Sequence, residues 1–510
     1  MGGGIAGLAS ALELSVAGLE VTVLERGPVI GGKLHQVFVN EVGIDSGPTV
    51  FTMRWVFDSL FAKAGTTLEQ ELIIEKQHIL ARHAWSADER LDLFANREQS
   101  AQAIKEFAGP AEADRFLKFC DLASTAYRTL EKAYIRSERP TMASMHADIG
   151  LRGMKVLFDL GLFQSLWNSL SRHFKDPRLH QLFSRYATYC GSSPLQAPAT
   201  LMLIADVEMQ GVHVVKGGMS ELAKAIARLA QQHGATIRTS SEVQEILVKN
   251  HRACGVRLAN GEVIEADSVI FNGDVNALRS GVVKLAEQGS KAFGPAEDDL
   301  PKRSLSALTL SIHAKTKGFA LVHHNLFFNT DYASEFADIF EKHRLPGKPT
   351  VYVCAQDRRD QGLVNQAQSA ERLLLLINAP ATGDRQHFSE AEISECTQAS
   401  FALMERCGLT IDHNATNTRI TTPTLWHQRF PATGGALYGH ATHGWMSAFG
   451  RHSSTSAIPG LYLAGGSVHP GPGVPMATLS GRLAAETLMA HLGLTRKSHR
   501  VVISGGMSTH

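Results

Sequence analysis

The residues best able to do chemistry lie at the two ends of the chain. Gly2, Gly4 and Gly7 form GxGxxG and open a short helix with the apolar face Ile5, Leu8, Ala9 and Leu12. A turn at Gly18 follows, then an alternating strand, Val21, Val23 and Leu24, that ends in Glu25. The first two glycines allow a tight turn and close approach of a pyrophosphate, and Gly7 allows helix and strand to pack. Glu25, 18 residues after Gly7, can accept from both hydroxyls of a ribose and would repel a 2′-phosphate. With the second turn Gly31-Gly32-Lys33, the pattern predicts a dinucleotide site.

The other end supplies a partner surface. Leu461, Tyr462 and Leu463 run as an apolar strand into Gly465, Gly466, Gly471 and Gly473, with Pro470, Pro472 and Pro475 stiffening the entry to a helix from about Met476. From Phe430 to Gly481 the only formal charge is Arg451, and Tyr438, Trp445, Phe449 and Met476 add apolar bulk. A flexible linker would lack that bulk, so the stretch reads as the wall of a ligand chamber. His469 in the glycine turn can polarise a bound ring or assist proton loss, or simply be satisfied by local backbone. His427, just before the charge-poor stretch, and His440 and His443 within it belong to the same chamber, and one can bind a substrate hydroxyl. His323-His324 suggests a metal, but adjacent residues of a strand point to opposite faces, and no metal is expected.

Three further stretches carry a family resemblance. Asp45-Ser46-Gly47-Pro48-Thr49, His324 to Phe328 with Asp331-Tyr332, and Gly465 to Gly471 resemble the bacterial phytoene desaturases, FAD-dependent carotenoid desaturases with an amine-oxidase-like fold. Thr350 to Asp357 and Gly434 to Gly439 are most similar to the 1-hydroxycarotenoid 3,4-desaturases, also called methoxyneurosporene or hydroxyneurosporene dehydrogenases. The resemblance covers residues 1 to about 493. It implies FAD held by Gly2, Gly4, Gly7, Glu25, Arg26, Gly32, Lys33, Val243, Gly465, Gly466, Gly473, Val474 and Pro475. It also implies 3,4-desaturation of a 1-hydroxylated acyclic carotenoid by hydride transfer to the flavin, with a proton lost from the neighbouring carbon and His469 as candidate catalytic residue. Phytoene desaturation is the alternative within the family. An amine oxidase on the same fold would need an aromatic pair facing the flavin, for which Tyr438 and Trp445 are the candidates. A non-catalytic prenyl-binding relative is disfavoured by the intact glycine motifs.

Composition fits this reading. The chain has 510 residues, 44% hydrophobic, with a net charge of +1, so no nucleic-acid footprint is present. Six cysteines without CxxC spacing read as reduced cytosolic thiols. The dinucleotide motif begins at residue 2, leaving no room for a signal peptide, and the uncharged run Tyr186 to Ala205 holds too many glycines and prolines to span a membrane. A lipid-dissolved substrate nevertheless requires an entry route. Val156, Leu157, Leu160, Phe163, Leu166, Trp167 and Leu170, flanked by Arg152, Lys155, Arg172, Lys175 and Arg178, predict an amphipathic helix. It can pack on the core or lie on the cytoplasmic face of the inner membrane. A single dinucleotide fingerprint leaves oxygen or a membrane quinone as electron acceptor.

The predicted fold is α/β, a two-domain, Rossmann-like FAD fold with interleaved modules. Residues 1–85, 210–275 and 426–510 are expected to hold the cofactor, 86–209 to form a helical cap facing the membrane, and 276–425 a β-rich substrate domain. The strand that should precede GxGxxG is missing at the amino end, and residues 500–504 are a candidate to fill its place.

Overall fold

The computed structural model describes residues 1–161, 163–285, 293, 300–359, 362–363 and 369–494. The dinucleotide sheet consists of two parallel pairs. Thr22–Leu24 lies beside Thr236–Arg238, and Val269–Phe271 beside Leu461–Leu463. Met1 and Gly2 sit between the pairs. The Met1 ammonium donates to Ile270 O at 2.8 Å, Asn272 N donates to Met1 O at 2.8 Å, and Gly2 N donates to Leu24 O at 2.7 Å. That is where a strand leading into GxGxxG belongs. Residues 500–504 lie outside the described residues.

The first helix, Ile5–Val16, packs against Val474–His491 and Ser220–Gln232. Contact with the last helix is so close that a Cβ at Gly481 would stand 2.1 Å from Ala6 O, and Ser10 Oγ donates to Gly481 O at 2.7 Å. Buried Glu13 clamps the assembly, accepting from Arg482 Nε at 2.7 Å and Lys63 Nζ at 2.6 Å.

A seven-stranded sheet forms the second layer, in the order Thr418–Thr421, Ser306–Ala314, Glu371–Ala379, Val351–Ala355, His324–Phe327, Ile79–Ala84 and Arg90–Phe94. The last two strands correct the expected boundaries. Ile79–Ala84, assigned to the cofactor module, pairs in parallel with His324–Phe327, and Arg90–Phe94 is a strand where a helical insertion was expected. One face of the sheet is a closed core, with Leu308, Leu310, Leu373, Leu375 and Val353 packed on Phe401, Leu403 and Met404. Across the other face the register aligns Leu326, Tyr352, Leu376 and Thr309 in one row.

The cap differs from the expected continuous amphipathic helix. Met142–Asp159 has a non-helical residue at Gly150, and a second helix, Leu166–His173, starts only after a turn. Leu157, Leu160, Leu166 and Leu170 are buried in the core, so they cannot also form an outward apolar face. The residues that do face outward are Leu151, Phe158 and Phe163, more than half exposed, beside partly exposed Trp445 and Met446. No described helix is long and apolar enough to cross a membrane.

Candidate cofactor and substrate site

A single cavity of about 1020 Å³ joins the two ends of the chain to the row on the sheet. One end is lined by Gly2, Gly4, Glu25, Arg26, Gly32, Lys33, Val243, Gly465, Gly466, Gly473, Val474 and Pro475. Gly7 stands behind this lining, where a Cβ would lie 2.1 Å from Gly2 O. Glu25 does more than face a ligand. Its Oε2 accepts from Gly3 N at 2.6 Å and its Oε1 from Gly27 N at 2.7 Å, so one carboxylate fixes the glycine turn and the chain beyond it. The Arg26 guanidinium turns away to Gln428 O and Arg429 O, at 3.1 and 2.6 Å.

Lys33 carries the test of fit for a dinucleotide. Its ammonium donates to Leu437 O, lies 5.4 Å from the Phe430 ring centre, and has no ion-pair partner among the described residues. Burial pushes it down to about 8, partly offset by the charge of Asp274. A buried cation with no ion-pair partner among the described residues, beside a glycine turn and a helix amino terminus, suits a diphosphate.

The remainder of the cavity is a mostly apolar tube. The sheet gives it Leu326, Tyr352, Leu374, Leu376, Thr309 and Asn378, and the cap gives it Leu130, Ile135, Met145, Ile149, Met154, Leu157, Leu201 and Ile204. A polar chain leads out of it. Thr49 Oγ1 lies 2.6 Å from Tyr352 OH, which lies 2.7 Å from His324 Nδ1. Deeper in the cap, Arg185 donates to both oxygens of Glu208 at 3.2 Å and to Tyr189 OH at 2.9 Å, and Tyr186 OH donates to Glu208 Oε2 at 2.8 Å.

Several expected residues stand elsewhere. His469 is buried but is not among the residues lining the cavity. Its Nε2 meets Tyr134 O at 3.0 Å, and burial lowers its pKa to about 4. The ring braces the turn against the cap. His427, His440 and His443 also lie off the lining: His427 Nδ1 accepts from Gly434 N at 3.1 Å, and His443 Nε2 from Ser193 N at 3.0 Å. The alternation argument at His323-His324 fails, because the strand starts at His324 and the two rings meet at 4.6 Å. Their nitrogens and Cys354 Sγ lie within 4.8 Å of one another, although the imidazoles already engage Tyr352 OH and Arg358 O.

Comparison with known proteins agrees with this geometry. Residues 5–489 match the family described as flavin containing amine oxidoreductase. Hydroxyneurosporene desaturase of Rubrivivax gelatinosus is 59% identical, with 100% of this chain and 96% of that protein aligned. The protein of that name in Cereibacter sphaeroides is 39% identical over 96% of this chain and 97% of its own. The chain is a flavin-dependent oxidoreductase of the carotenoid desaturase family. A 4,4'-diapolycopene oxygenase of Methylomonas sp is 29% identical over 96% and 98% of the two chains. Among solved structures, putrescine oxidase bound to putrescine superposes with a TM-score of 0.59 at 14% identity, covering 96% and 98% of the chains, which shows the shared fold. The amine oxidase reading is not favoured: Trp445 pairs with Phe163, ring centres 5.2 Å apart, at the surface, whereas Tyr438 is packed against Gly191.

Sequence reasoning missed the polar floor: Thr49, Tyr352, Thr309, Asn378, Arg185 and Trp426 as chamber residues. Tyr352 and Thr309 alternate with the core residues Val351, Val353, Leu308 and Leu310, a pattern that separates the two faces of each strand but does not say that one of them lines a cavity.

Proposed function

We propose that this protein is an FAD-dependent desaturase that oxidises the C3–C4 bond of a 1-hydroxylated acyclic carotenoid at a membrane surface. One observation carries the reading: the glycine-rich crevice and the long apolar tube are parts of one cavity. The relatives named hydroxyneurosporene desaturase support the substrate class. Bound FAD supplies the two-electron acceptor for the hydride removed from the substrate.

The chain's own residues bind, orient and keep dry. Glu25 meets the ribose, Lys33 and the amino terminus of Ile5–Val16 meet the diphosphate, and Gly465, Gly466 and Gly473 let backbone come close to the ring system. Leu326, Tyr352 and Leu376 hold the polyene flat on the sheet, so that one bond is presented in a site from which bulk water is excluded. Residues 1–78, 210–275 and 426–494 serve chiefly the cofactor and the seven-stranded sheet, Ile79–Ala84 included, chiefly the substrate, a division supported by the lining of the cavity.

Entry from lipid uses the outward patch Leu151, Phe158, Phe163, Trp445 and Met446, with Arg152 and Lys155 exposed nearby for anionic headgroups. Trp445 belongs both to that patch and to the chamber lining, which makes the patch its mouth. Oxygen or a quinone reoxidises the flavin. The test is to supply phytoene, neurosporene and hydroxyneurosporene separately to membranes containing the protein, without added NAD. Conversion of hydroxyneurosporene, extending its conjugation by one double bond, is expected. Efficient conversion of phytoene with inert hydroxyneurosporene would overturn the substrate, and strict dependence on NAD would overturn the acceptor.

A further inference from the structure

Among the described residues, four of the chamber lining carry a buried polar atom with no hydrogen-bond partner: His35 Nε2, Arg185 Nε, Thr309 Oγ1 and Trp426 Nε1. Arg185 is already committed to Glu208 and Tyr189. The other three stand on elements that pack together. The strand Ser306–Ala314, which carries Thr309, packs both on Gln36–Val39, adjacent to His35, and on the helix Pro423–Arg429, which carries Trp426. The His35 and Trp426 rings meet edge to face, centres 5.5 Å apart at 78°.

Their hydrogen-bonding characters are complementary. His35 Nδ1 lies 3.1 Å from Lys33 O, and a carbonyl only accepts, so Nδ1 holds the proton and Nε2 offers a lone pair. Burial lowers this imidazole to about 4, which keeps it neutral at pH 7. Trp426 Nε1–H is a donor only, and Thr309 Oγ1 can play either part. An alcohol oxygen both donates and accepts.

We propose that His35, Trp426 and Thr309 form the subsite that recognises the terminal hydroxyl of the substrate, the hydroxyl donating to His35 Nε2 and accepting from Trp426 Nε1–H. This rests on the 1-hydroxycarotenoid reading above. A hydrocarbon terminus would leave all three polar atoms unpaired, and a methyl ether could accept from Trp426 but not donate to His35. The order of preference is therefore hydroxyl, then methoxy, then unsubstituted.

The test uses the full-length holoenzyme with three acyclic carotenoids that differ only at this terminus. Trp426→Phe and the near-isosteric Thr309→Val should each lower kcat/KM for the hydroxylated substrate about 3- to 10-fold, from the loss of one neutral hydrogen bond. The unsubstituted substrate should change less than about twofold. Flavin content and the flavin absorbance bands should stay as in the parent protein. Should Trp426→Phe fail to fold, Thr309→Val decides alone. An equal fall for all three substrates, an undiminished preference for the hydroxyl, or a shifted flavin spectrum would overturn the subsite, the last by assigning these atoms to the cofactor. A parent enzyme with no preference for the hydroxylated substrate would overturn the functional reading itself and the subsite with it, whereas a parent that prefers it and variants that do the same would remove the subsite alone.

Discussion

In the cofactor crevice backbone approaches backbone, and on the chamber floor side chains face a ligand. A Cβ at Gly7 would lie 2.1 Å from Gly2 O and one at Gly47 1.7 Å from Lys33 O, so the crevice has no space for side chains at these turns. The floor is instead a single face of a sheet, with Leu326, Tyr352, Leu376 and Thr309 at adjoining register positions. The first arrangement fixes a cofactor common to many enzymes, because backbone groups are the same in every sequence. The second can change its ligand one side chain at a time without moving the strands.

The largest expected effect tests the rigidity of the crevice. Glu13 is buried between Arg482 and Lys63, and Glu13→Ala leaves an Arg482 side chain buried without its counter-charge, a loss of about 3–5 kcal/mol. Calorimetry should show a large fall in Tm. A change below about 1 kcal/mol would mean that the crevice does not depend on this clamp.

Next comes a pair of neighbours on one strand. Leu375 faces the closed core and is fully buried, whereas Leu376 faces the chamber. Leu375→Ala should cost about 2–5 kcal/mol of stability. Leu376→Ala should leave denaturant stability nearly intact and raise KM for the carotenoid. Equal destabilisation by both would erase the distinction between core face and chamber face.

Acid should attack the floor. His323 lies at the end of a floor strand, and burial, with the charge of Arg359, lowers it to about 4, against 6.5 for an unperturbed imidazole. The unfolded chain therefore binds a proton below pH 6.5 that the folded chain refuses until about 4, and stability rises with pH through this window. As pH falls from 6.5 towards 4, this histidine should withdraw about 3 kcal/mol. His323→Gln should flatten the dependence of Tm on pH, and an unaltered slope would count against the assignment.

The smallest effect concerns a single side chain of the crevice. Glu25→Ala removes the bonds to Gly3 N and Gly27 N together with the ribose contact, and should weaken FAD binding by about 1–3 kcal/mol. Flavin fluorescence on dilution measures this directly. Full FAD retention would show that the glycine turn holds the cofactor without its acid.

Much of the cofactor end was legible because its signals are local. The GxGxxG turn, the helix after it, the strand ending in Glu25 and the helix after Gly473 each follow from a few contiguous residues, and the β-rich character expected of 276–425 is met by strands such as Val351–Ala355 and Glu371–Ala379. The placement of the amphipathic segment stayed open in the sequence because a threefold and fourfold apolar repeat looks the same whether it meets lipid or core. In the folded chain Leu157 and Leu170 went to the core and Phe158 and Phe163 to the surface.

By itself, then, the sequence determined the cofactor class, the α/β fold and the family, since glycine spacing and a strand-ending acid act through backbone geometry over short distances. Only the tertiary structure decided which polar residues line the cavity. Thr309, Tyr352, His35 and Trp426 are far apart in the chain, and alternation within a strand separates its two faces without saying which of them meets a cavity. Histidines near the glycine turn were drawn off to satisfy backbone groups at Tyr134, Gly434 and Ser193, because each buried amide or carbonyl there needed a partner before any ligand could claim one.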